Sequence, residues 1–184
     1  MKVSDGEKLI LLMLSELYDR LEIHEEIDSE FIRSAIFSNN IWAIPWKYSG
    51  IPFEDQDEPE IVKEVLDILD MWNFIEYSYE HLSEKEKEYL DEIVTNPFGK
   101  DPKFPGFDGN SESSYMGTAS FIVNELDRFE EFKGRNFNSH SPSLDGHGRM
   151  LTVFKEIRET INFGPLSVED LAKILKERVH PSRR

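Results

Sequence analysis

The sequence predicts an all-α fold, multihelical and divided into two small helical subdomains. Apolar residues recur at helical spacing through most of the chain. Ser4 with Glu7, and Ser83 with Glu86, stand three apart ahead of such patterns, as in capping boxes. No stretch alternates apolar and polar residues over the length of a strand, and there is neither an internal repeat nor a sustained heptad.

Behind the first capping box, Ile10, Met13, Leu14, Leu17 and Leu21 recur at offsets 0, 3, 4, 7 and 11. They share one face of a helix that ends near His24. A shorter helix follows Asp28, with Phe31, Ile32, Ala35 and Ile36 apolar, and fades at Asn39–Asn40. Residues 41–58 read as a structured loop, because Pro45, Gly50 and Pro52 break the helical pattern before the chain turns acidic at Glu54, Asp55, Asp57 and Glu58. Pro59 then opens the strongest helix, where Ile61, Val65, Ile68, Leu69, Trp72 and Ile75 run on to about Leu82. The second capping box restarts the helix with Tyr89, Leu90 and Ile93 as a narrow stripe.

From Asn96 to Asn110 the chain carries Pro97, Gly99, Pro102, Pro105, Gly106 and Gly109. This composition marks a connection at 96–110 between an N-terminal helical subdomain, 1–95, and a C-terminal one, 111–184. In the latter, Tyr115, Ala119, Ile122, Leu126 and Phe129 define a helix that Gly134 closes. A polar loop leads to a helix carrying Leu151, Phe154, Ile157 and Ile161. Ser167 and Asp170 open a last one with Val168, Leu171, Ala172, Leu175 and Val179.

A chain of 184 residues can bury roughly 70% of its unfolded surface, so it folds without staples. Its 21 basic against 37 acidic residues leave a formal charge of −16, which argues against broad phosphate-backbone binding. Cysteine is absent, which excludes disulfides, thiolate catalysis and cysteine-based zinc sites. The apolar run Leu9–Leu14 is far short of the ~20 residues that span a bilayer, and no secretory pattern follows it. A soluble, acidic, cytoplasmic protein without membrane contact is the expectation.

The segment Gly106-Phe107-Asp108-Gly109-Asn110-Ser111-Glu112 is rich in local chemistry. Asp108 is suited to fold its carboxylate onto backbone donors, Gly109 to take a positive φ, and Asn110 to cap the next helix. Asp108 and Glu112 would repel an anion there and suit a cation or a hydroxyl-rich ligand. In the second polar loop, Phe137 and Asn138 lead into His140, Asp145, His147 and Arg149. The imidazoles of His140 and His147 with the Asp145 carboxylate are candidate metal ligands by type, although their spacing matches no ligand motif. Trp42, Trp46, Tyr48 and Phe53 read as a packing loop or as an aromatic partner surface. Residues 155–184 carry seven basic and five acidic side chains, so the end of this acidic chain is locally basic. Leu166–Val179 with the tail His180–Arg184 therefore admits a DNA-binding helix. The common nucleotide-binding and hydrolase signatures are missing.

Several blocks together resemble the YfbU family. They are Lys8–Leu11, Leu66–Trp72, Gly106-Phe107-Asp108 with Glu112, Tyr115 and Gly117, then Phe121, Val123 and Phe129, Phe137-Asn138 with Pro142, and Arg149-Met150-Leu151. They keep their order from about residue 6 to 157. The aromatic loop 41–58, His140, His147 and the last 20 or so residues lie outside the resemblance. It implies a bacterial, cytoplasmic, mostly helical protein of two helical subdomains, and it supplies no reaction. Phe107, Asp108, Asn110, Glu112, Phe137, Asn138 and Arg149 are accordingly the candidate binding or structural residues, with Arg149 expected to pair with Asp108 or Glu112. No catalytic residue is assigned and no cofactor is implied. The favoured reading is a non-catalytic interaction or regulatory protein with a protein partner or a second copy of itself. A ligand binder or enzyme using loops 106–112 and 136–149 is the alternative, and a DNA-binding regulator the next.

Overall fold

The computed structural model describes residues 2–23, 26–54, 58–159, 164–180 and 182. Among them it is all-α, with no strand and a single isolated parallel bridge between Phe107 and Asn138. Helix α1 (Asp5–Arg20) begins at its capping box: the Ser4 hydroxyl accepts from the Glu7 amide, and the Glu7 carboxylate accepts from the Ser4 amide at 2.7 Å. Helix α2 (Ser29–Phe37) is capped by Asp28, whose carboxylate accepts from the Phe31 amide. The expected loop at 41–58 starts with a 3₁₀ turn (Ile41–Ala43) and the short helix α3 (Ile44–Lys47). Pro45 fits there because first-turn amides have no helical acceptor.

Helix α4 (Glu60–Glu80) is the spine, and α5 (Glu84–Ile93) follows through the second capping box. Helix α6 (Ser113–Asn124) stops well before Gly134. Asp127 and Phe129 take left-handed backbone conformations, φ 51° and 54°, and a 3₁₀ turn (Glu130–Phe132) drops Phe132 into the core. Burial of that ring overrides the periodicity that had placed Phe129 on the helix. Helix α7 (Leu144–Arg158) and α8 (Val168–Lys176) complete the chain, α8 ending short of Val179. His24, Asp55, Asp57, Ile161, Pro181, Arg183 and Arg184 lie outside the described residues.

The main core is built on α4. Val62, Val65, Ile68, Leu69, Met71, Trp72 and Ile75 are all buried, and they meet Leu90 of α5, Ile122 of α6, Met150 and Phe154 of α7 and Leu171 of α8. Phe104 and Phe107, from the Pro/Gly-rich connection, join the same cluster, so residues on both sides of 96–110 share one interior. A second, smaller cluster holds Phe31, Ile32 and Ala35 of α2, Ala43, Ile44 and, from α6, Phe121. Helix α1 lies on α2, and its Leu11 packs on this second cluster.

Candidate functional site

The two sequence-rich loops meet and close on each other. The Phe107 amide donates to the Phe137 carbonyl at 2.9 Å, and the Ser139 amide donates to the Phe107 carbonyl at 3.0 Å. Gly106, not Gly109, holds the positive φ, at 82°, and a Cβ there would lie 2.1 Å from the Phe137 oxygen. Only glycine lets the two loop segments of this bridge approach so closely. Gly109 is constrained by Asn138 instead: its amide donates to Asn138 Oδ1 at 3.1 Å, and the same oxygen accepts from the His140 amide.

Glu112 is the hub. Its carboxylate accepts from the Asp108, Ser143 and Leu144 amides, each at 2.9 Å, with the Ser143 hydroxyl at 3.0 Å. It therefore caps the N-terminus of α7, where the helix dipole favours a negative charge. Burial works to raise the Glu112 carboxyl, but the Asp108, Leu144 and Ser143 amides and the Ser143 hydroxyl together hold it below its ordinary value. Asp108 folds back as expected. The Ser111 hydroxyl, helped by the amides of Asn110 and Ser111, keeps its carboxyl low against burial. Asn110 does not cap α6; its side chain donates to Asp108, and Glu112 takes the N-cap position.

The expected pairing of Arg149 with Asp108 or Glu112 is not made. Arg149 Nε donates to the Glu177 carbonyl at 3.0 Å and Nη2 to the Arg178 carbonyl at 3.3 Å, closing the end of α8. The amides of Asp108, Ser143 and Leu144 already fill the Glu112 acceptors. His147 is only 2% exposed and sits among Trp72, Phe104 and Phe107. The Trp72 indole donates to its Nδ1 at 3.1 Å, which fixes the proton on Nε2, 3.0 Å from the Gly106 carbonyl. Desolvation lowers its pKa to about 4. Its ring is thus a neutral strut whose lone pair is spent. His140 and Asp145 are exposed, and among the described residues no three His, Asp or Glu side chains gather to hold a metal.

Two features escaped the sequence reading. Glu76, buried in α4, accepts from Arg135 Nη1 on both carboxylate oxygens, at 2.8 and 2.9 Å, and from the Phe104 amide. Near the end of α8, Arg178 borders a cleft of about 610 Å³ with Ser139, Ser141, Asp145 and His180. Its guanidinium lies 4.3 Å from the Phe98 ring and 5.2 Å from Trp72, and no carboxylate among the described residues pairs with it. Burial lowers its pKa to about 10. Neither residue belongs to a periodic pattern, and the partners are distant in sequence.

The YfbU domain family model matches residues 1–177. The chain belongs to the YfbU family. It is also similar to the UPF0304 protein MJECS11 of Methanocaldococcus jannaschii, 32% identical over 96 residues, which is 50% of this chain and 53% of that protein. The match thus spans about half the length of that relative, which is archaeal where the resemblance had implied bacteria.

Within this YfbU chain the aromatic loop packs inward. Trp42, Trp46, Tyr48 and Phe53 are half-buried against the two clusters, with Trp42 touching both. Arg128 covers the Trp46 ring at 4.5 Å. The exposed apolar surface lies elsewhere. Leu9, Ile10, Met13, Leu14, Leu17 and Leu21 are between 46% and 66% exposed along α1. No described helix is long and apolar enough to cross a membrane.

Proposed function

We propose that the chain is a non-catalytic interaction protein of the cytoplasm, and that the outer face of α1 is its contact surface. The observation that carries this reading is the run of large apolar side chains left outside on one helix of 16 residues. Contiguous exposed apolar surface of this kind marks contact sites. The junction of loops 106–112 and 136–149 supports it from the other side, since Asp108, Glu112, Asn138 and His147 spend their polar atoms on holding the loops and α7 together. A photo-crosslinking amino acid replacing Met13, compared with one replacing the exposed Thr152, tests the reading in cells. An adduct to protein is expected at position 13 alone, suppressed by Leu9→Lys with Leu17→Lys. Equal or no adducts at the two positions would sink it.

A second reading, binding of a small anionic ligand, is favoured by one observation: the half-buried Arg178, which pairs with no carboxylate among the described residues, borders the cleft with Ser139, Ser141 and Asp145. Inorganic phosphate should then shift the amide resonances of Ser139 and Ser141, and Arg178→Gln should remove the shift. A spectrum indifferent to phosphate dismisses this reading.

A further inference from the structure

Helix α1 is apolar on both sides. Leu11 and Leu12 are half-buried and Ser15 is buried on the side of α2, while Leu9, Ile10, Met13, Leu14, Leu17 and Leu21 point outward. A helix with apolar side chains on two sides buries both only between two layers, and the described residues of this chain supply one of them. We infer that the second layer is another copy of the same chain, with the two α1 helices packed antiparallel across a two-fold axis close to Met13 and Leu14. The inference rests on the reading of this face as a contact surface and names its occupant.

Size supports a second copy. The six outward side chains expose on the order of 600 Å² per chain, against about 800 Å² per partner in a stable interface. Ile27, 36% exposed and lining one groove with Ile10, extends the patch toward that size. A groove of about 440 Å³ lined by Val3, Ile10, Ile27, Ile44 and Ile51 runs alongside and can receive the side chains of the facing helix. A two-fold contact uses the same patch twice, so one self-complementary stripe suffices.

Charge supports it as well. At −16, two copies repel over most of their surface. From Lys2 to Leu21, however, three basic side chains stand against four acidic ones, so this helix adds little to that repulsion. Arg20, in the last turn of α1, makes no ion pair among the described residues, and Asp5 and Glu7 occupy the first turn. Antiparallel packing sets Arg20 beside the acidic first turn of the other copy and opposes the two helix dipoles. Parallel packing sets like against like. The same register faces Ile10 with Leu17 and places Gly6, with open space around its Cβ position, opposite Leu21.

The test uses the full chain. Sedimentation over a concentration series should give twice the chain mass, and Leu17→Lys should raise the dissociation constant at least 100-fold while circular dichroism stays unchanged. Because the chain has no cysteine, orientation can be read directly. Under mild oxidation Met13→Cys should link to itself, Leu21→Cys should not, and a mixture of Leu21→Cys with Gly6→Cys should cross-link. Self-linking of Leu21→Cys, or a dimer indifferent to Leu17→Lys, overturns the inference. So does a monomer at every concentration. In that case a position-13 adduct to a different protein keeps the contact surface and rejects only the second copy. Retention of a monomer on phosphatidylcholine vesicles assigns the face to lipid and rejects it too.

Discussion

Helices α1 and α4 both carry apolar residues at helical spacing, yet they end in opposite surroundings. Trp72, Ile75, Leu69 and Val65 of α4 are wholly buried, whereas Met13 of α1 and Leu21 at its C-terminal cap are each 66% exposed. The difference lies in what each helix meets. Helix α4 is covered by α6, α7 and α8, with Phe104 closing over Trp72 at 6.0 Å. Helix α1 packs chiefly on α2. Spacing establishes that a helix has an apolar face, but not which body covers it.

The most severe way to break this contrast is to remove the side chain on which the main core is built. Trp72→Ala should cost about 3–5 kcal/mol, the usual range for a large buried aromatic, read as a fall in the urea midpoint. A loss under 1 kcal/mol would mean that the core does not depend on α4 as described.

Acid should single out the same region. The His147 pKa is about 4 in the fold against 6.5 as an ordinary histidine, so above pH 6.5 both states are neutral and stability is complete. Between pH 6.5 and about 4 only the unfolded chain gains the proton, and about 3 kcal/mol is lost. His147→Phe should start less stable, because the Gly106 carbonyl and the Trp72 indole lose their partner, but should lack that loss across the window. Parallel pH curves for the two proteins would refute the neutral-strut role.

A smaller effect is expected at the loop junction. Glu112→Gln keeps the shape but replaces one acceptor oxygen by a donor amide facing backbone N–H groups, and it removes the charge at the start of α7. About 2 kcal/mol should be lost, with hydrogen exchange accelerated at Ser143 and Leu144 before the rest of α7. The smallest change should come from α1. Leu17→Lys, measured at high dilution, should alter stability by no more than about 0.5 kcal/mol, since it disturbs exposed surface. A large loss there would mean that the face is covered within the chain.

Much of the fold was legible because its signals are local. Ser4–Glu7 and Ser83–Glu86 form their boxes within one turn, and the spacing of α4 names its own buried residues. The ends of α6 and α8 were not legible, because the burial of Phe132 decides one and the carbonyls held by Arg149 mark the other. At the site, Asp108 was readable since its donors lie two and three residues on. Glu112 was found as a candidate but not as a cap for α7, whose amides lie 31 and 32 residues away. His147 looked like a loop ligand because a polar sequence surrounds it, whereas in space Trp72 and Phe104 do.

The placement of the three tryptophans has an optical consequence. Trp42 and Trp46 stand edge to face, 5.0 Å apart at 78°, where the small second cluster meets the main core. Rings so close couple their electronic transitions and give a paired circular-dichroism band that vanishes when they separate. Trp72 is isolated from them, dry and hydrogen-bonded to an imidazole, so its emission is blue and partly quenched. Unwinding of the short turn 41–47 and melting of the α4 core can therefore be followed separately, in one unlabelled sample, by the chain's own optical signals.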